Sequence, residues 1–218
     1  MSQESGISTF RDHNGLWENH RIEDVASPEG FARNPQLVLD FYNARRKQLD
    51  EVEPNAAHLL IAELEEKYKV TVITQNVDDL HERAGSTNII HLHGELKKAR
   101  SSKNETLISD YHQAIKIGDL ASDNSQLRPH IVWFGEQVPN MDLATEITQT
   151  ADLFVIIGST MQVYPAASLL HFVPVNAKIV YIDPNPDVQG GNNLVVIKEK
   201  ATVGMVELVE KYLFDKIY

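Results

Sequence analysis

LFVIIGST, residues 153–160, decides the fold. Leu153, Phe154, Val155, Ile156 and Ile157 form an apolar run with no polar alternation, which reads as a strand covered on both faces. Gly158, Ser159 and Thr160 follow at its carboxyl end, where open α/β sheets bind ligands. Glycine lets the backbone approach a phosphate or ribose and the hydroxyls can donate, although the same triplet is also an ordinary strand-to-helix turn.

Five similar runs flank this one: VTVIT before Gln75, IIHL before His93, HIVWF before Gly135, KIVYI before Asp183, and LVVI ending at Ile197. Helical periodicity fills the intervals at 36–49, 56–68, 141–151 and 203–213, with Asn55 as N-cap after Pro54. Strands alternating with helices predict an α/β chain with a Rossmann-like, mostly parallel sheet and helices on both faces. Three strand ends carry polar signatures, TQNVDD, IIGST and YIDPNP, and a nucleotide is sought there. Residues 97–126 form a polar excursion with weak periodicity, read as a small inserted module.

Composition narrows the function classes. In 218 residues, 31 acidic side chains oppose 20 basic ones for a net charge of −11, which argues against a nucleic-acid footprint. The absence of cysteine excludes disulfides, thiolate zinc sites and cysteine nucleophiles. There is no signal-peptide pattern and no apolar run of membrane-spanning length, so a soluble, cytoplasmic protein acting on small molecules or basic protein segments is expected.

Gln75, Asn76, Val77 and Asp78 place an amide and a carboxylate just past a strand, suited to ribose hydroxyls or a carboxamide, and equally suited to capping a helix. His91 and His93 lie two apart and share a strand face if the strand stays regular. No third or fourth ligand follows in a metal-binding spacing, so a general base at His93, just before Gly94, is favoured over a metal pair, beside the alternative of a satisfied core histidine. Tyr42 and Arg45 are three apart on one helix face, where a phenol and a guanidinium fork make a carboxylate receptor or, more commonly, a solvated face with a packed tyrosine.

Taken together, ESGISTFR, TQNVDDLHERAG, HLHGEL, RPHIVWFGE and IIGST, in this order, resemble the sirtuin family of NAD-dependent protein-lysine deacylases over nearly the whole chain. FYNARRKQL followed by PNAAHLLIAELE resembles its bacterial desuccinylase-like group. The resemblance implies a single catalytic domain over residues 1–218 with small-module insertions at about 12–55 and 97–127. It implies His93 as general base with Asn76 and Asp78 beside it, and NAD, consumed as co-substrate, held by Phe10, Arg11, Gln75, Asn76, Val77, Asp78, Gly158, Ser159, Thr160, Asp183, Pro184, Asn185 and the Ala201 backbone. It implies acylated-lysine proteins or peptides as partners, with Val132, Phe134, Gly135 and Glu136 pairing with the substrate strand and Tyr42 and Arg45 binding the carboxylate of succinyl or malonyl groups. The implied products are nicotinamide, O-acyl-ADP-ribose and free lysine.

Three departures from the family pattern stand out. The zinc cysteines are absent, so no zinc is expected and packing by Leu107, Tyr111, Ile115 and Ile117 is expected to hold the 97–126 module. Gly158-Ser159-Thr160 replaces the usual Gly-Thr-Ser order, and Asp183 stands where an asparagine is common. The family also has an apolar strand and a Gly-Ala-Gly turn ahead of the position of Met1. Met1 is therefore expected to be internal to a longer reading frame, and loss of that strand to expose two strand edges. The competing function is a non-catalytic module that holds ADP-ribose or acyl-lysine, with protein ADP-ribosyl transfer and a metal hydrolase behind it.

Overall fold

The computed structural model describes residues 1–7, 16–17, 20–159, 164–186 and 190–213. Within them the nucleotide-type sheet exists in two parallel pieces. β3 (Val72–Thr74) pairs with β4 (Ile89–His91). β8 (Leu153–Ile157), β9 (Lys178–Ile182) and β10 (Leu194–Ile197) pair in the order β10-β9-β8. β3 and β8 are the facing edges, and between them runs a groove of about 1550 Å³ lined by Val72, Ile73, Val155 and Ile157.

Side-chain packing joins the two pieces where backbone bonds do not. α4 (Ala56–Leu64) and α7 (Ala201–Leu208) cover one face, packing Ala57, Ile61, Met205 and Leu208 onto Val180, Ile182, Val72 and Val155. α6 (Met141–Thr148) and the 3₁₀ segment Ala166–Phe172 cover the other, packing Ala144 and Leu169 onto Ile73, Ile90 and Phe154. Val72 and Ile73, like Val155 and Phe154, point to opposite faces, the period-2 alternation of a strand buried on both sides. The apolar runs before Gln75, His93, Gly158 and Asp183 and the run ending at Ile197 therefore read correctly, as do the helices on both faces.

Helix α4 starts where its cap predicts. Asn55 Oδ1 accepts from the Ala57 and His58 amides at 3.0 and 3.4 Å, and His58 Nδ1 accepts from the Asn55 amide at 3.2 Å, closing a capping box worth about 1 kcal/mol. The helix ends at Leu64 rather than running to residue 68.

The remaining elements build a second layer around the site. β1 (Leu16–Trp17) and β2 (His20–Arg21) form a small antiparallel pair, followed by α1 (Ile22–Val25), α2 (Pro28–Arg33) and α3 (Pro35–Leu49). Asn34 caps α3, its Oδ1 accepting from the Leu37 amide at 3.2 Å, and Pro35 takes the first turn, where its missing N–H costs nothing. β5 (Gly94–Ser101) pairs antiparallel with β6 (Ile108–Asp110) and β7 (Leu127–Ile131). The expected strand HIVWF thus starts earlier and ends at Ile131, and it belongs to this antiparallel sheet. Beyond it the chain turns at Gly135 as the Trp133 amide donates to Glu136.

The polar 97–126 stretch is held by buried polar bonds and one apolar anchor. The Ser101 hydroxyl bonds Asp123 and Ser125 at 2.7 Å each and accepts from the Lys103 and Asn104 amides. Ile115 packs with Leu39, Ala99 and Leu127, with Tyr111 against them. Ile117, by contrast, is 52% exposed and lies outside this cluster. α3 (Pro35–Leu49) grips this layer through Asn43, which exchanges hydrogen bonds with both backbone groups of Ile115 at 2.8 and 2.9 Å. Buried Arg46 adds a bond from Nε to the Leu96 carbonyl at 2.7 Å. Among the described residues no helix is long and apolar enough to cross a membrane.

Candidate functional site

His93 sits in the bend between β4 and β5. The turn needs glycine next to it. Gly94 has φ of 85°, and a Cβ there would lie 2.0 Å from the His130 carbonyl oxygen, so only glycine lets β5 and β7 close. His93 Nδ1 lies 3.2 Å from the Gln75 carbonyl oxygen, an acceptor only, so Nδ1 carries the proton and Nε2 keeps the lone pair. Burial lowers its pKa below the usual histidine value, which keeps the ring neutral and basic at pH 7.

The loop after β3 lies alongside. The Asn76 amide donates to Thr74 Oγ1 at 3.0 Å, and Asn76 Nδ2 donates to Ser2 Oγ at 2.8 Å. Asp78 is buried, and desolvation pushes its carboxyl pKa up although Ser2 and the Leu80 amide bond to it. It stands at the start of the five-residue helix α5 (Leu80–Ala84). Gln75 Nε2 reaches Ser159 Oγ at 3.4 Å, which links this loop to the end of β8. There Gly158 has φ of 59°, a left-handed conformation that favours glycine. Asp183 closes a turn at the end of β9, its Oδ1 accepting from the Asn185 amide at 2.8 Å, with Pro184 between them.

His93, Gln75, Asn76, Val77, Asp78, Gly158, Ser159, Asp183 and Asn185 all line the one 1550 Å³ groove. Ala201 is set apart, its amide donating to Glu4 Oε1 at 2.8 Å. Glu4 also receives the Thr202 hydroxyl, so this acid, which sequence reasoning passed over, caps α7 (Ala201–Leu208) from a distant segment. Phe10, Arg11 and Thr160 lie outside the described residues.

The same groove continues to Tyr42, Arg45, Trp133 and Phe134. Tyr42 is fully buried, and its hydroxyl accepts from Trp133 Nε1 at 3.0 Å. Burial raises its pKa, so it stays a neutral phenol. Arg45 is 7% exposed, with its guanidinium over the Phe41 ring at 3.5 Å and Nη1 donating to the Phe41 carbonyl. These two side chains therefore line a cavity wall, and the reading of a solvated helix face is set aside.

The wall rests on a buried ionic frame. Arg128 stacks over Trp133 at 3.2 Å and donates to Glu136 at 2.6 Å and to the Ile131 carbonyl at 2.8 Å; Arg100 donates to Glu136 at 2.8 Å. Glu136 also accepts the Trp133 amide, so its carboxylate braces the pocket from within the chain. No periodic signal could have paired Arg128 with Glu136, because a turn brings them together. The Val132 and Phe134 amides donate to the His93 and Ala26 carbonyls. What the 132–136 stretch presents outward is the Phe134 ring, 53% exposed.

One further cluster adjoins the site. His91 Nε2 and the carboxylates of Glu82 and Glu95 lie within 4.8 Å of one another. The 2.7 Å separation of His91 from Glu82 is that of a hydrogen bond, since a cation bridging both at about 2.1 Å would set them about 3 Å apart. We assign it as a hydrogen bond.

NAD suits this donor set. Acceptors for ribose hydroxyls (Asp78), amides for a carboxamide (Gln75, Asn76), a left-handed glycine and a lone-pair imidazole converge on one cleft at the carboxyl ends of β3 and β8.

Comparison with known proteins agrees. The Sir2 family profile matches residues 1–165. A protein of Bacteroides thetaiotaomicron named NAD-dependent protein deacylase is 54% identical over 95% of this chain and 92% of its own length. One of the same name from Helicobacter pylori is 54% identical over 98% and 93%. Among solved structures, a Sir2 homologue in complex with NAD superposes with a TM-score of 0.84 at 40% identity, over 96% of this chain and 84% of that one. The profile match over residues 1–165, together with relatives 54% identical over nearly the whole chain, places the protein in the Sir2 family.

Proposed function

We propose that this chain is an NAD-dependent protein-lysine deacylase that removes acetyl and, preferentially, succinyl or malonyl groups, releasing nicotinamide, O-acyl-ADP-ribose and free lysine. The observation that carries the reading is His93, singly protonated toward the Gln75 carbonyl, in the groove that also holds Asp78, Tyr42 and Arg45. NAD supplies a ribose carbon activated by a departing nicotinamide. His93 Nε2 takes the proton from a ribose hydroxyl, a role that contributes about 10²–10⁴ in rate. Gln75 and Asn76 hold the carboxamide end and Asp78 orients ribose hydroxyls. The Trp133 and Phe134 rings flank the acyl-lysine stem, with the peptide itself running along residues 132–136.

Acidic acyl preference rests on Tyr42 and Arg45. A neutral phenol and a permanently charged guanidinium in a low-dielectric wall make a carboxylate receptor, worth about 1.5–3 kcal/mol for a charge-assisted bond. Arg45→Met is expected to lower the ratio of succinyl-lysine to acetyl-lysine turnover by about 10–100-fold. Mass spectrometry of both peptides with and without NAD reads this directly, and an unchanged ratio sinks the assignment. We place the action in the cytoplasm on acylated proteins, with all 218 residues as one catalytic domain carrying two inserted modules.

A further inference from the structure

His91 is absent from the chemistry above, yet it is 9% exposed and packed against the site. Its Nδ1 lies 3.3 Å from the Asn76 carbonyl oxygen and its Nε2 lies 2.7 Å from Glu82 Oε1. Both partners are acceptors. A neutral imidazole has one N–H and can satisfy only one of them, so this geometry calls for a proton on each nitrogen.

We propose that His91, doubly protonated between Glu82 of α5 (Leu80–Ala84) and the Asn76 carbonyl, is a positioning residue that holds the Asn76–Asp78 loop in register beside His93. The surrounding charges suit a cation. Glu82 and His81 face it from α5, Glu95 from β5 with Lys98 paired to that carboxylate at 2.9 Å, and Asp78 from the loop. Burial opposes the charge on His91, but Glu82 and then Glu95 outweigh it and the net shift is upward; Glu82 is correspondingly held low despite its own burial.

The consequence of losing the second proton is specific. The carboxylate is the stronger acceptor, so the remaining proton stays on Nε2 toward Glu82. Nδ1 then presents a lone pair to the Asn76 oxygen, and the repulsion releases the loop. His93 binds the neighbouring Gln75 carbonyl independently, so the base persists while the ribose-binding side chains lose register. NAD affinity should therefore fall as pH rises through the His91 transition, whereas kcat keeps an acidic limb set by His93.

The first test needs no turnover: imidazole NMR of the full chain, reading the ring nitrogens of His91. Expected is a doubly protonated ring at about pH 6.5, titrating above that value, and a tenfold weaker proton affinity in Glu82→Gln, about one pH unit. A neutral ring at that pH overturns the proposal whether or not the chain is a deacylase. The second test is KM for NAD against pH for the wild type, Glu82→Gln and His91→Asn. A several-fold rise in KM with pH, displaced to lower pH by Glu82→Gln and flattened at the high value by His91→Asn, is expected. Superimposed curves overturn the proposal, since a merely structural role would lower the melting temperature and leave the pH dependence of KM alone.

Discussion

His93 and His91 are two residues apart and donate to adjacent carbonyls, those of Gln75 and Asn76, yet their pKa values move in opposite directions. At His93 burial outweighs the upward pull of the Gln75 carbonyl; at His91 the Glu82 carboxylate at 2.7 Å, with Glu95 behind it, overrides burial. His93→Ala is expected to reduce turnover by about 10²–10⁴ with little loss of NAD binding, measured by product mass and by calorimetric titration of NAD. In the wild type the activity should decline on the acid side below pH 6.5, where His93 begins to hold its second proton. That the chain bends at His93 was legible from Gly94 beside it. What His91 does was not, because Glu82 reaches it only through the packing of α5 on β4.

At the scale of elements, strands covered by helices on both faces announced themselves as unbroken apolar runs, and α4 (Ala56–Leu64) by its cap. β5 (Gly94–Ser101) did not: GELKKARS carries four charges, and buried Arg100 is acceptable there only because Glu136 neutralises it. The grip of α3 (Pro35–Leu49) on the 94–131 layer was equally hidden, since Asn43 and Ile115 stand 72 residues apart. Asn43→Ala removes both bonds to Ile115 and one from buried Arg46, at an expected cost of about 2–4 kcal/mol. Hydrogen exchange should show residues 108–126 losing protection first, with the parallel strands unaffected; uniform loss across the chain would contradict that placement.

Across the whole molecule, three buried or half-buried histidines other than His91 and His93 set the acid limit. Burial lowers His58 to about 3 and His81 and His130 to about 4, and the first two stack edge to face at 4.9 Å. Each folded value lies below the ordinary 6.5, so the unfolded chain binds more protons between the two. Stability is full above pH 6.5 and is lost as pH falls toward 4, by up to about 1.4 kcal/mol per unit for each histidine. Melts at pH 7.5, 6 and 5 should show a steepening fall, and His58→Gln should flatten it; a melting temperature constant over that range would refute the assignment. The raised pKa of His91 works the other way, adding stability below 6.5 that is lost as pH rises through its folded value. By itself the sequence determined the α/β class, the strand ends that line the groove and the family, because periodicity, caps and glycine turns are local and write themselves into neighbouring residues. Only the tertiary structure decided which side chains join the two pieces of the parallel sheet, that Glu136 braces the pocket, and that His91 lies between two acceptors. Those depend on charges and edges brought together from distant parts of the chain, for which spacing in sequence holds no record.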